Sequence, residues 1–106
     1  MGSIKGLGPF IQSDLIFGEE DYGKPISERL SEVVRRNTSK NDFANIAIQS
    51  NVSFSTIRDV VYRTNSLTKL NANAISLLIH TAFENSFAYK LQAEGDILYL
   101  SDLLKL

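Results

Sequence analysis

The stretch FANIAIQSNVSFSTIRDVVY, residues 43–62, decides the fold that the sequence predicts. Ile46 and Ala47 close a first short helix, and Ala47 is small enough to let a second helix cross nearby. Asn51 comes four residues after Ala47, and asparagine tolerates the left-handed backbone conformation that a sharp reversal needs. The stretch therefore predicts two short helices joined by a tight turn.

The residues after the turn predict a second helix with an inward and an outward face. Val52 fills the turn, and Ser53 is a good N-cap for the helix that follows, which extends to about Arg63. Ile57 and Val60 are three residues apart, so both point back at the first helix. The outward face then consists of Phe54, Ser55, Thr56, Arg58 and Asp59.

Residues 43–62 resemble the helix-turn-helix of the phage-repressor-like (Cro/repressor type) DNA-binding domains. With the flanking helices, the resemblance covers about residues 27–86. Asn51 departs from that family, which most often carries glycine at the turn, although asparagine is the next best residue for positive φ. The resemblance implies a mainly all-α, compact domain of four or five helices that binds double-stranded DNA sequence-specifically, as a dimeric transcriptional regulator.

The resemblance also implies a docking mode and a set of DNA-binding residues. The helix beginning at Ser53 would lie in the major groove while the preceding helix crosses the backbone. Arg58 is the first candidate for a base contact, because a bidentate arginine on guanine is the commonest specific contact. The start of the preceding helix suits phosphate, because helix N-termini attract anions. The candidate residues are Ser39, Lys40, Asn41, Ser53, Phe54, Ser55, Thr56, Arg58, Asp59, Tyr62 and Arg63.

The sequence leaves alternative roles open for some of these side chains. Phe54 suits either a thymine methyl group or a contact within the protein. Asp59 accepts a hydrogen bond from a cytosine amine, pairs with a neighbouring arginine, or has no partner. Arg35 and Arg36 are weaker phosphate candidates, because cations at a helix C-terminus are also ordinary solvated charges favoured by the helix dipole.

Basic residues concentrate in the middle of the chain. The 106 residues have a formal net charge of −1 and a pI of about 5.7. Residues 27–70 contain seven Lys or Arg against four Asp or Glu, whereas residues 1–26 and 71–106 each carry two against four. The net +3 of the central segment suits a phosphate-contacting face of modest affinity. A solvated helical surface is the alternative.

The remaining pattern divides the chain into three segments. We predict an irregular N-terminal arm over residues 1–24, a helix-turn-helix domain over 25–91 and a Leu-rich C-terminal extension over 92–106. The arm contains five glycines and short apolar groups such as Phe10 and Ile11. It has room for one short strand, around residues 14–17.

Two further helices flank the central motif. An apolar stripe predicts a helix from about Ser27, its cap candidate, to Arg36, and a longer one begins after Leu70, with Asn71 as its cap candidate, and extends to about Tyr89. Ser39 with Asp42 three residues later predicts a capping box for the helix that ends at Ile46 and Ala47. The run at residues 92–95 predicts a break. Residues 97–100 resemble a strand and residues 102–106 a helix, which leaves open a short strand pair from the two termini.

The composition excludes several function classes. The chain has no cysteine and a single histidine, His80, so we expect no disulfide, metal or cofactor. It contains no nucleophile elbow, phosphate-binding glycine loop or dinucleotide fingerprint, and we expect no enzyme activity. No apolar run approaches the roughly 18 residues of a membrane span, and no export signal is apparent, so we expect a cytoplasmic protein without a membrane partner.

The alternative function is a protein-interaction module, antitoxin-like or an assembly partner, that uses the apolar arm and tail without binding DNA. The acidic pI favours this alternative. The two interpretations are compatible, because helix-turn-helix proteins commonly dimerise to present two reading helices one DNA turn apart. The expected partners are therefore double-stranded DNA and a second copy of the chain, with a further protein partner at the termini left open.

Overall fold

A computed structural model of the chain describes residues 16–106, which form an all-α fold. Helix α1 spans Glu28–Asn37, α2 Lys40–Ser50, α3 Phe54–Val61 and α4 Ala72–Leu104. A short 3₁₀ turn, Glu19–Asp21, precedes them. The described residues contain no strand. The mainly α-helical fold class is confirmed.

Three helices begin at the serines that the sequence predicts as N-caps. The hydroxyls of Ser27 and Ser53 each accept the backbone N–H of the residue three positions later, both at 3.1 Å. Ser39 and Asp42 form the predicted capping box, in which the Ser39 N–H donates to Asp42 Oδ2 at 2.9 Å and the Asp42 N–H donates to Ser39 Oγ at 3.3 Å. Each cap stabilises its helix by about 1 kcal/mol.

The turn between α2 and α3 has the backbone that the sequence predicts. Asn51 lies in the left-handed region, with φ 59° and ψ 29°. The Ser50 hydroxyl donates to the Ile46 carbonyl at 2.6 Å and accepts the Val52 N–H at 3.3 Å. Val52 is half-buried against the core. The sharp reversal at Asn51 is confirmed.

The core lies between α3 and the first three turns of α4. Ile57 and Val60 are fully buried, which confirms the inward face predicted for α3. Ile75 and Leu78 are the corresponding buried side chains of α4, which packs against each of the other three helices. Leu67 from the α3–α4 loop completes the core at 1% exposure.

Helix α3 ends earlier than the sequence predicts, at Val61 rather than near Arg63. The Arg63 N–H donates to the Val60 carbonyl at 3.1 Å and the Thr64 N–H to the Asp59 carbonyl at 2.9 Å. With Arg63 at φ 65°, these bonds form a Schellman motif, which satisfies the last carbonyls of the helix. The left-handed residue is an arginine, so no glycine marks this end in the sequence.

Three hydrogen bonds fasten the residues before α1, and α1 itself, to the end of α3 and to the loop between α3 and α4. The Gly23 N–H donates to the Leu67 carbonyl at 2.8 Å, and the Leu67 N–H donates to the Lys24 carbonyl at 3.0 Å. The buried Ser31 hydroxyl of α1 donates to the Val61 carbonyl at 2.6 Å. The Ser31 bond fixes α1 against the end of α3, and the other two hold residues 23 and 24 against the loop between α3 and α4.

Helix α4 differs most from the prediction. It runs unbroken for 33 residues, so the break predicted at residues 92–95 is wrong and the helix continues across the predicted boundary at residues 91–92. Residues 97–100 are helical, which excludes the strand considered there. Gly95 is tolerated because glycine in a helix costs only about 1 kcal/mol relative to alanine. No described helix is long and apolar enough to cross a membrane.

Asn71 occupies the N-cap position of α4 but does not cap it with its side chain. Its Oδ1 accepts the Thr68 N–H at 2.9 Å, and its Nδ2 donates to the Ser66 carbonyl at 3.2 Å. The side-chain cap predicted at Asn71 is therefore wrong. The Asn71 side chain orders the preceding loop instead.

Only residues 16–24 of the predicted arm belong to the described structure. Phe17 and Tyr22 pack against the core. Residues 16 and 17 are not in a strand, and the rest of the strand predicted at 14–17 lies outside the described residues. Phe10 and Ile11 lie outside them as well.

Candidate nucleic-acid interface

The outer face of α3 carries exposed polar and aromatic side chains at helical spacing. Ser55, Arg58 and Tyr62 follow one another at three and four residues, so they share one side of the helix. The Arg58 side chain is 51% exposed and Tyr62 is 53% exposed. The structure therefore leaves the main predicted base-contacting residue accessible.

The hydroxyls at the start of α3 form a small cluster. The Ser53 hydroxyl donates to Thr56 Oγ1 at 2.8 Å and accepts the Thr56 N–H at 3.1 Å. Its contact with the Ser55 hydroxyl is longer, 3.3 Å. Ser53 and Thr56 are thus occupied in capping the helix, and Ser55 offers the more accessible hydroxyl.

Asp59 pairs with Arg58, one of the alternatives that the sequence leaves open. Arg58 Nε lies 3.1 Å from Asp59 Oδ1, and both side chains are at least 40% exposed. Exposed pairs of this kind contribute about 0–1 kcal/mol, so a better acceptor displaces the carboxylate at low cost. The pair holds the Arg58 side chain near the surface of α3 without burying it.

Phe54 is placed differently from the outward position that the sequence predicts. Its ring packs against the buried Phe43 ring of α2, with centroids 5.8 Å apart and an angle of 51° between the planes. It is half-buried and belongs to the margin of the core. This geometry favours the contact within the protein over a contact with a thymine methyl group, because the Phe54 ring packs on the Phe43 ring of the core.

A groove of about 470 Å³ runs between α3 and the junction of α1 with α2. Three basic side chains line it, and three aromatic rings form its apolar part. The acidic side chain at its edge is Asp59, already paired with Arg58. We call it the basic groove; its lining residues are Arg35, Thr38, Ser39, Lys40, Phe43, Phe54, Arg58, Asp59, Tyr62 and Thr64.

Arg35 belongs to this groove, although the sequence ranks it as a weaker candidate. Its guanidinium carbon lies 5.1 Å from the centre of the Tyr62 ring, a cation–π distance. Its Nε also donates to the Ser31 carbonyl at 3.3 Å. The sequence signal for this position of Arg35 is the short connection between α1 and α2, because it keeps the last turn of α1 beside the start of α2.

The start of α2 contributes side chains rather than free amides. Ser39 and Lys40 line the basic groove, whereas Asn41 is exposed outside it. The Asp42 carboxylate accepts from both the N–H and the hydroxyl of Ser39. Because this carboxylate already neutralises the helix N-terminus, Lys40 is the phosphate candidate there rather than the backbone.

Arg63 is held away from the basic groove. Its Nε donates to the Ile26 carbonyl at 2.7 Å, and its Nη1 lies 3.8 Å from Glu28 Oε2. The structure therefore does not bring Arg63 together with Arg58 and Lys40. Its contacts fasten the end of α3 to the start of α1.

Comparison with known proteins identified no matching family model, no similar curated protein and no similar solved structure. Residues 16–106 also contain no group of three or more His, Cys, Asp or Glu side chains arranged to hold a metal ion.

Proposed function

We propose that this protein binds double-stranded DNA sequence-specifically through α3 and acts as a transcriptional regulator. One observation carries the proposal: the exposed face of α3 adjoins the basic groove, where Arg35, Lys40 and Arg58 line one surface. A positive surface next to an exposed helix matches the needs of a protein that contacts phosphates and base edges together.

Helix α3 is the reading element in this proposal. The major groove is about 12 Å wide and admits an α-helix, and the eight residues of α3 extend over about 12 Å. Arg58 leaves Asp59 and binds guanine, and Ser55 adds a hydroxyl contact to a base or phosphate. Tyr62, exposed at the end of the same face, contacts the backbone.

The phosphate contacts come from the margin of the basic groove. Lys40 lies at the start of α2 and Arg35 at the end of α1, so the two cations flank α3 on one side. Arg35 is oriented by the Tyr62 ring. These side chains neutralise phosphates without reading sequence, and they fix the register of α3 on the duplex.

Selection of duplexes from a randomised library at low salt tests the proposal. We expect enrichment of a short common site and binding that weakens as salt is raised, because phosphate contacts release counterions. A library from which no duplex is retained at low salt would contradict DNA binding outright. Retention without any enriched site would contradict sequence specificity.

Two substitutions separate base reading from phosphate contact on the selected site. Arg58→Ala should reduce the preference for the selected site over random duplex by about 1–3 kcal/mol. Arg35→Ala should weaken binding to both duplexes alike. Arg29→Ala is the matched control, because Arg29 is exposed on α1 and lies outside the basic groove. Equal effects of all three would contradict the assigned roles.

A protein-interaction module without DNA binding is the second candidate function. The supporting observation is the C-terminal half of α4, where large apolar side chains such as Leu98 and Leu103 are more than half exposed. Purification from the native host with a bound protein, together with failure of the duplex selection, would favour this candidate over the first.

A further inference from the structure

Asn85 lies at the point where α4 extends beyond the other helices. It is half-buried, whereas residues 86–100 are all exposed. Its position continues the buried stripe of Ile75, Leu78 and Ala82 at spacings of three and four residues. An apolar side chain would be usual at such a position, because a polar group taken out of water needs hydrogen-bond partners. The partners of the Asn85 amide therefore indicate its role.

The Asn85 amide bonds to both sides of the junction between α1 and α2. Its Nδ2 donates to the Asn37 carbonyl at 2.9 Å and to Asp42 Oδ2 at 3.2 Å. Asn37 is the last residue of α1, and Asp42 belongs to the first turn of α2. The Asn37 carbonyl is one of the last four of its helix, which have no partner within that helix. A single side chain of α4 thus connects the end of α1 to the start of α2.

The residues between these two bonded positions form one wall of the basic groove. Thr38, Ser39 and Lys40 all line it. The Thr38 hydroxyl donates to the Val34 carbonyl at 2.6 Å, which ties this residue to α1. Lys40 is exposed at the first position of α2. Because a lysine side chain is flexible, the backbone of the junction determines where its ammonium group can reach. The Asn85 bonds therefore act on the segment that carries Lys40.

The Asp42 carboxylate transmits the position of α4 to Lys40. Its Oδ2 accepts the Ser39 N–H at 2.9 Å and the Ser39 hydroxyl at 3.2 Å, in addition to the Asn85 amide. Hydrogen bonds to an ionised acceptor are stronger than those between neutral groups. Asn85 thus fixes Asp42 relative to α4, and Asp42 fixes Ser39, the residue immediately before Lys40.

We propose that Asn85 is a positioning residue for DNA binding, whose amide holds the α1–α2 junction so that Lys40 meets a phosphate when α3 enters the major groove. The inference rests on the proposed function of the basic groove. Helix α3 begins with its own cap at Ser53, and both Asn85 bonds go to the junction instead. Asn85 therefore determines affinity and not sequence preference, because phosphate contacts do not read the bases.

Asn85→Leu in the full chain tests this role on DNA. Leucine suits the apolar stripe but removes both hydrogen bonds. We expect binding to weaken about tenfold on the selected and on random duplexes alike, with the preference between them unchanged. The slope of log K against log salt should fall by about one for each groove. Anisotropy titrations measure these quantities, and an unchanged affinity or a lost preference would overturn the proposal.

A double-mutant cycle tests whether Asn85 acts through Lys40. In the Lys40→Ala background, Asn85→Leu should cause no further loss of affinity, because both substitutions remove the same phosphate contact. Additive losses would overturn the assigned route. Ser86→Leu is the matched control, because Ser86 is exposed on the next position and bonds within α4. Equal losses for Ser86→Leu and Asn85→Leu would also overturn it.

Backbone order parameters from nuclear magnetic resonance test the positioning without DNA. Residues 38–40 should have values near those of rigid backbone, about 0.85, in the wild type and in Ser86→Leu, and should fall toward about 0.6 in Asn85→Leu. Circular dichroism checks that each variant keeps its helix content. Order parameters that stay at the wild-type value in Asn85→Leu would overturn the proposal. If the duplex selection fails, DNA binding is excluded, and the order parameters still decide whether Asn85 holds the junction.

Discussion

Asn51 lets the chain reverse between α2 and α3 at the cost of a left-handed backbone conformation. That conformation costs most L-residues about 1–2 kcal/mol, and asparagine less because its short polar side chain bonds locally. Ser53 follows two residues later and starts α3 with its hydroxyl. A single residue thus directs the outward face of α3, including Arg58.

Substitution at Asn51 should change stability according to the tolerance of positive φ. Asn51→Val should lower the free energy of unfolding by about 1–2 kcal/mol, because a β-branched residue is strained at φ 59°. Asn51→Gly should stay within about 1 kcal/mol of the wild type, because glycine adopts this conformation freely. Urea unfolding followed by circular dichroism measures both, and equal values for the two variants would contradict the reasoning.

Ser31 should be more sensitive than its small size suggests. Its buried hydroxyl supplies the 2.6 Å bond to the Val61 carbonyl, and Ser31→Ala removes that donor. We expect a loss of about 1–2 kcal/mol in the free energy of unfolding. Ser86→Ala is the control, because Ser86 is exposed and bonds only within α4. A loss at Ser31 no greater than at Ser86 would show that the bond contributes little.

At the level of helices, the starts of α1, α2 and α3 could be predicted because capping is local. Ser27, Ser39 and Ser53 bond to residues only three positions away, so the sequence itself contains both partners. The inward position of Ile57 follows in the same way from helical spacing. These helix starts can therefore be predicted without knowing the rest of the fold.

The end of α3 and the length of α4 could not be predicted, for different reasons. Arg63 adopts positive φ without being glycine, and its side chain is held by Ile26, 37 residues away. Residues 92–100 contain a glycine, one β-branched residue and one aromatic residue, so their short apolar run fits a strand or a helix. Arg35 lies in the basic groove because α1 packs beside α3. The spacing of residues along one helix gives no information about that packing.

Gly95 gives a direct test of the continuity of α4. A Cβ at this position meets nothing within 4 Å, so Gly95→Ala should add about 0.5–1 kcal/mol of helix stability. The ellipticity at 222 nm should rise slightly. Gly95→Pro should lower it by breaking α4 near residue 95, while the core around Leu78 stays folded. If proline left the ellipticity unchanged, residues 83–104 would not be one helix in solution.

The net charge of the whole molecule opposes binding to DNA, whereas the charge of the basic groove favours it. The acidic flanking segments make the net charge −1, while the basic groove contributes Arg35, Lys40 and Arg58. One groove whose Arg35 and Lys40 neutralise two phosphates predicts a slope of log K against log salt of about −2, and a dimer with two grooves about −4. Anisotropy titrations on the selected duplex measure the slope.

The same titration measures how many copies of the basic groove contact one DNA site. A dimer on a site with two half-sites should give the steeper slope, and the same protein on a duplex with one half-site should give the shallower one. Arg35→Ala should reduce the dimer slope by about two, one for each groove. A slope that is the same on both duplexes would mean that only one groove contacts DNA at a time.

Because α4 is a single rod from the core to Leu104, it also acts as a ruler. Deleting seven residues from its outer part would shorten it by about 10 Å and turn its end by only about 20°, whereas deleting one would turn it by about 100°. A variant of this chain shortened by a heptad would thus keep the direction of its outer end, whereas most other changes of length would rotate that end relative to the core.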